Sequence, residues 1–216
     1  RIEDPYRLPP GQRLRIPIGW LRVEPAPARV IAVQQPAELR STPHNPPQPL
    51  QAGTLLGAGA ELRTGAGGSA TLEFADASRL QLRERSQLRL DRLTRYGHTG
   101  MVDTRLRLEQ GRANNRVTPA TGPASQYIID APTATSSVRG TRFRVSAGEA
   151  AGAATTEVLE GRGQVGNRHG HQLVPPGHAS RPPDGERAPQ PLVDLLPAPA
   201  LGQDSRLHML PLLLQW

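Results

Sequence analysis

Between residues 50 and 180, apolar and polar side chains alternate one for one, and this period limits the possible folds more than any other feature of the chain. Leu72 and Phe74 alternate with Thr71 and Glu73, and Leu80 and Leu82 with Arg79 and Gln81. Leu88 and Leu90 alternate with Gln87 and Arg89, and Leu106 and Leu108 with Arg105 and Arg107. A period of two sends every second side chain to the same face of an extended strand, whereas a helix needs apolar residues three or four apart. The gaps carry turn chemistry: Gly65-Ala66-Gly67-Gly68, Asp76-Ala77-Ser78, Tyr96-Gly97-His98 and Gly111. The expectation is an all-β fold of many short strands, a sandwich or jelly roll or a short β-solenoid-like stack, with Pro-rich arms. The eight alternating apolar residues just named point inward. Phe143 and Val145, between Arg142 and Arg144, join them.

A weak internal repeat supports regular stacking. Leu108-Glu109-Gln110-Gly111-Arg112 resembles Leu159-Glu160-Gly161-Arg162, each read as a strand, a glycine turn and a return strand. Gly 22 and Pro 23 disfavour long helices, because glycine is conformationally loose and proline interrupts the helical ladder. Cysteine is absent, which excludes disulfides, thiolate metal sites and a cysteine nucleophile. All 26 basic side chains are arginine, and the net charge is +7. That charge suits anionic surroundings such as acidic glycan, lipid head groups or nucleic acid. Aromatics make up only 3%, a poor supply of the stacking faces that nucleic-acid and sugar readers use.

Four regions are expected. Residues 1–28 are Pro-rich and partly apolar. Residues 29–49 hold one strand over 29–40, with Val30, Ile31 and Val33, and then a linker with Pro43, Pro46, Pro47 and Pro49. Residues 50–180 form the alternating β domain. Residues 181–216 are a Pro/Ala-rich linker and, from Leu207 to Trp216, the start of a further β domain. The first residue is Arg1, so an upstream segment is expected. No signal-peptide pattern is visible, and the longest apolar clusters fall far short of the roughly 20 residues of a membrane span.

The ordered series of motifs in 50–180 resembles the FecR domain. The matching stretches begin with Leu62-Arg63-Thr64-Gly65, Gly67 to Phe74, Ser78 to Leu82 and Ser86-Gln87-Leu88. They continue through Leu108 to Gly111, Ala131 to Ala134, Val138 to Thr141 with Phe143 and Val145, Glu160-Gly161 and Pro176-Gly177-His178. Ala77 stands where the family usually has glycine, which leaves the turn type there open. Asp4 to Pro17 resembles the closing helix–turn–strand of a LysM domain, and Leu210 to Trp216 the opening of an immunoglobulin-like repeat. The FecR resemblance implies a bacterial protein exported to the periplasm or outer surface. In iron-uptake regulators such domains relay an outer-membrane receptor signal to a sigma factor.

Seven residues are candidate partner contacts. Arg139, Gly140 and Thr141 could form a binding edge, with Arg139 offered to an anion, or Gly140 could simply let two backbones approach. Arg79, Arg89, Arg105 and Arg107 could line one sheet face as a cationic ladder, or be a solvated face interleaved with Glu73, Glu84 and Asp91. His169, His171 and His178 cluster in sequence, but no further ligand accompanies them, so no metal or cofactor is expected. The Gly65–Gly68 loop lacks the Gly-Lys-Ser/Thr of a phosphate loop and reads as a hairpin turn. No nucleophile-elbow motif is present, and the acidic pairs sit beside turns, so no enzyme is expected. The expected role is a non-enzymatic bacterial envelope interaction or assembly module. The alternatives are a FecR-like relay to an anti-sigma/sigma system and a glycan-binding module. Expected partners are envelope proteins or cell-wall glycan, with a homo-oligomer or larger assembly and no nucleic acid.

Overall fold

The computed structural model describes residues 16–42, 44–148, 154–181 and 193–194. A one-turn 3-10 helix at Ile18–Trp20 precedes β1 (Val23–Pro25), β2 (Ala28–Gln34), β3 (Ala37–Arg40), β4 (Gln48–Pro49), β5 (Leu55–Leu56) and β6 (Glu61–Thr64). There follow β7 (Ser69–Glu73), β8 (Arg79–Leu82), β9 (Gln87–Tyr96), β10 (Val102–Arg116), β11 (Gln126–Ala131) and β12 (Ala134–Val138). Last come β13 (Arg142–Ala147), β14 (Thr155–Glu160), β15 (Gly163–Asn167), β16 (Gly170–Val174), β17 (His178–Ser180) and β18 (Val193–Asp194). The all-β expectation holds.

Hydrogen bonding gathers these strands into two sheets. In the first, β4, β3 and β6 lead to β9, whose far half carries β1 on the same edge. Beyond β9 lie the first half of β10, then β11, β12, β15 and β16. The second sheet runs β5, β2, β7, β8, the second half of β10, β13, β14, β17 and β18. Every pairing is antiparallel except β10 with β11.

β10 belongs to both sheets. Val102 to Gln110 pairs with β9, and Gly111 to Arg116 pairs with β13. The strand bends at Gly111, whose φ of 89° lies in the left-handed region. A Cβ there would run into Ser86. Ser86 cannot retreat, because its Oγ accepts from Arg112 N–H at 3.0 Å and donates to the Glu84 carbonyl at 3.0 Å.

The inner faces of the two sheets meet in one core. Leu62, Leu88, Leu90, Leu106, Leu108 and Ile129 come from the first sheet, and Leu72, Leu80, Leu82, Phe143 and Val145 from the second. None of these is more than 1% exposed, and Phe74 is 4% exposed, so all ten residues expected inward are inward. Phe74 and Phe143 each meet Tyr127 edge to face, at centroid distances of 5.7 and 6.2 Å.

Several strand-level readings need correction. Residues 29–40 are two strands: β2 lies in the second sheet and β3 in the first, and the backbone passes between them at Gln35-Pro36. A polar residue and a proline break the apolar run there, and the Gln35 side chain donates to the Leu50 carbonyl at 2.9 Å and accepts from Ala37 N–H at 2.7 Å. The linker after it ends in a short strand, since Gln48 and Pro49 pair with Leu39 and Glu38. The internal repeat is not two hairpins. Gly111 is a bend inside a continuous strand, whereas Gly161, φ 80°, turns the backbone from β14 in the second sheet to β15 in the first. Both glycines mark a passage between sheets.

The Gly65–Gly68 segment is a tight turn, closed by Gly68 N–H to the Gly65 carbonyl at 3.1 Å, but not the hairpin turn expected, because β6 lies in the first sheet and β7 in the second and the two do not pair. Ala77 has φ 62°, so the turn keeps the left-handed shape that glycine favours, at a cost to the alanine. The LysM-like stretch up to Arg15, most of 181–204 and the segment 207–216 lie outside the described residues.

Urea melts test this packing. Phe143→Ala is expected to lose about 3–5 kcal/mol, as for a fully buried aromatic. Ala77→Gly is expected to gain about 1 kcal/mol by relieving the left-handed strain; a loss there would mean the turn is built differently.

Candidate functional site

A groove of about 280 Å³ opens at one end of the two sheets. Its walls are the turn after β7, the start of β10, the connection from β10 to β11, and the end of β12. The floor is apolar, made by Val102, Val117, Tyr127 and Val138, and the rim carries Asp76 and Arg139.

Local hydrogen bonds hold these walls together. Ser78 donates its N–H and its Oγ to the two Asp76 carboxylate oxygens, at 3.0 and 2.8 Å. Ser78 Oγ in turn accepts from Thr118 N–H at 3.0 Å, which ties the β7–β8 turn to the β10–β11 connection. On the floor, Tyr127 is 2% exposed and its hydroxyl donates to Asn115 Oδ1 at 3.0 Å. Burial drives the Tyr127 phenol well above the usual tyrosine range, and the nearby Asp76 charge adds to the shift.

Arg139 sits on the rim, exposed, with one long bond of 3.4 Å to the Pro123 carbonyl. Its neighbours are structural supports. Gly140, φ 63°, lies where a Cβ would come within 3.0 Å of Pro119 Cα. Thr141 is 2% exposed, and its Oγ1 donates to the Arg162 carbonyl at 2.9 Å. Of the three neighbouring candidates, then, Arg139 faces solvent and the other two fix its place.

The four ladder arginines are not on one face. Arg79 stands on β8 of the second sheet, where it pairs with Glu73 at 2.8 Å. Arg89 and Arg107 are on the first sheet and share Asp91, each at 3.0 Å. Arg105, also on the first sheet, is half-buried opposite Arg92, and its Nε has no hydrogen-bond partner among the described residues. Arg92 itself is held by Asp103 at 3.0 Å; that bond raises its already high pKa. Alternation identified these as outward positions, but it cannot assign a strand to a sheet.

The histidines are also dispersed. His171 lies on β16 of the first sheet, while His178 lies on β17 of the second and contacts Asp194 at 3.0 Å. Among the described residues no three metal-ligating side chains gather at one point. Sequence reasoning missed Tyr127 and Asn115. The alternation of Tyr127 and Ile129 was a usable signal, but the pairing with Asn115 depends on a contact between strands.

Residues 60–162 match the sequence model of the family described as FecR protein. That span takes in both rim residues and the whole of β10. No curated protein matches this protein in sequence. Among solved structures, the fold is similar to a candidate anti-sigma factor of Parabacteroides distasonis ATCC 8503. The TM-score is 0.51 and the identity 16%, over 62% of this chain and 59% of that one. A second structure of that description gives a TM-score of 0.49 at 15% identity, over 62% of this chain and 59% of that one. The likeness is one of fold, and the protein spans about 59% of the length of the structures it matches.

Tyr127→Phe tests the groove floor. It leaves Asn115 Oδ1 without its donor and is expected to lose about 1–3 kcal/mol at pH 7. The raised phenol pKa adds a pH signature. The unfolded polypeptide ionises its tyrosine near pH 10, roughly the value in short peptides, while the folded protein keeps Tyr127 neutral. Stability is therefore full below that pH and falls as pH rises toward the folded pKa. The fall is expected to be shallower in Tyr127→Phe, as measured by urea midpoints between pH 8 and 11.

Proposed function

We propose that the protein is a non-enzymatic, FecR-type protein-binding module acting outside the bacterial cytoplasm, and that it relays an envelope signal toward a sigma-factor system. The observation that carries this reading is that the end groove, with Arg139 on its rim, falls inside the FecR-matching span. The description of the similar Parabacteroides structure as an anti-sigma factor favours relay over envelope assembly. Chemically the groove suits a partner side chain. Its floor takes an apolar group, while Asp76 and Arg139 give the rim one charge of each sign. Among the described residues no helix is long and apolar enough to cross a membrane.

The reading is tested in the native bacterium. A photo-crosslinking residue at Ala120 is expected to capture an envelope protein, and Arg139→Glu to reduce that capture at least tenfold. Arg139→Glu is also expected to change transcription of a sigma-dependent reporter. Unchanged reporter output with weakened envelope integrity would instead support an assembly role. Retention on peptidoglycan unaffected by Arg139→Glu would support glycan binding.

A further inference from the structure

The geometry points to a second binding site, on the outer face of the second sheet, that takes a carboxylate borne by a peptide and is centred on Arg116. Across five adjacent strands the register runs Glu73, Arg79, Arg116, Arg142 and Glu160. Three arginines thus stand side by side between two glutamates. The outer two are neutralised: Arg79 by Glu73 at 2.8 Å, and Arg142 by Glu160 at 3.2 Å. Arg116, in the middle, is exposed and has no hydrogen bond or ion pair among the described residues.

The next row supplies the rest of the site. It runs Thr71, Gln81, Asn114, Arg144 and Glu157. Asn114 gives its Nδ2 to Gln81 Oε1 at 3.3 Å, while its Oδ1 is buried with no partner among the described residues. Arg144 leans toward Glu157 at a loose 3.5 Å. Between the rows lies a hollow of about 280 Å³ bordered by Arg79, Asn114, Arg116, Arg142 and Arg144.

Like charges directly opposite on neighbouring strands destabilise a sheet. This row carries that cost with one guanidinium left uncompensated at its centre. The unmet demand is one negative charge for Arg116 and one hydrogen-bond donor for Asn114 Oδ1. A carboxylate accepts the planar guanidinium fork through both oxygens, and the N–H of an adjacent peptide group can donate to Asn114. A phosphodiester backbone fits less well, because Glu73, Glu157 and Glu160 flank the hollow and repel a run of negative charge. The carboxylates of Asp or Glu and a free peptide C-terminus share the chemistry required. The site does not depend on the relay reading.

The test is a titration of the full-length protein, followed through the arginine Nε–H and asparagine amide signals in NMR. The probes are acetyl-Gly-Glu-Gly-amide, its glutamine counterpart, acetyl-Gly-Gly-Gly with a free C-terminus, and inorganic phosphate. A saturable shift at Arg116 and Asn114 is expected with either carboxylate probe and not with the glutamine peptide. The stronger of the two carboxylate probes identifies the source. Arg116→Gln is expected to weaken that binding at least tenfold, and Arg89→Gln on the other sheet to leave it unchanged. In ligand-free protein Arg116→Gln is expected to raise the melting midpoint by about 1–2 °C, since it removes a like-charge contact. Phosphate binding as tight as carboxylate, no effect of Arg116→Gln on binding, or a lowered midpoint would each overturn the proposal.

Discussion

The bend of β10 over Ser86 is the constraint on which the rest of the fold depends. A strand of this length would ordinarily stay in one sheet and extend it. Here the absence of a side chain at Gly111 lets the backbone settle directly against Ser86, and a left-handed φ turns the strand toward the other layer. The first half of β10 then completes the sheet holding β9 and β11, and the second half completes the sheet holding β8 and β13. With the layers joined, the leucines of each inner face have a partner face to cover them. The parallel pairing of β11 beside β10 has the same origin, because the backbone leaves one layer and returns to the other before it pairs.

Similar passages place the groove. The backbone moves between layers at Gln35-Pro36, at the Gly65–Gly68 turn, at Gly140 and at Gly161. Gly140 and Gly161 pack on each other: a Cβ on Gly161 would come within 2.7 Å of the Gly140 carbonyl. Thr141 bridges from that contact to Arg162. Arg139 is displayed at the end of the fold because its neighbours are fixed by close backbone contacts. Elsewhere the outer faces are polar ladders in which arginines meet acids across strands, as in Arg107 with Asp91 and Arg95 with Glu24. Exposed pairs of this kind add little stability and mainly keep the faces soluble.

What the sequence made legible was local. Alternation identified Leu72, Leu80, Leu88, Leu106 and Phe143 as inward, because facing is a property of a strand by itself. The glycines marked where the backbone changes direction. Neither signal could say which layer a strand joins, because pairing partners lie far apart in the sequence. Arg79 and Arg89 look like members of one ladder in sequence and stand on different sheets. Residues 29–40 look like one strand and serve both layers. The row containing Arg116 escaped for the same reason: Arg79, Arg116 and Arg142 become neighbours only once three strands are in register.

A strand held in common also governs how the molecule comes apart. Neither layer can be peeled away while the other stays whole, since removing β10 takes the central strand from both. The two layers are therefore expected to melt as one cooperative unit, with amides on either side of the bend exchanging only through global opening. For the relay role proposed above, this would be a mechanical property. A load applied to the outer strands of one layer reaches the other through a single continuous backbone rather than through the sliding of side chains.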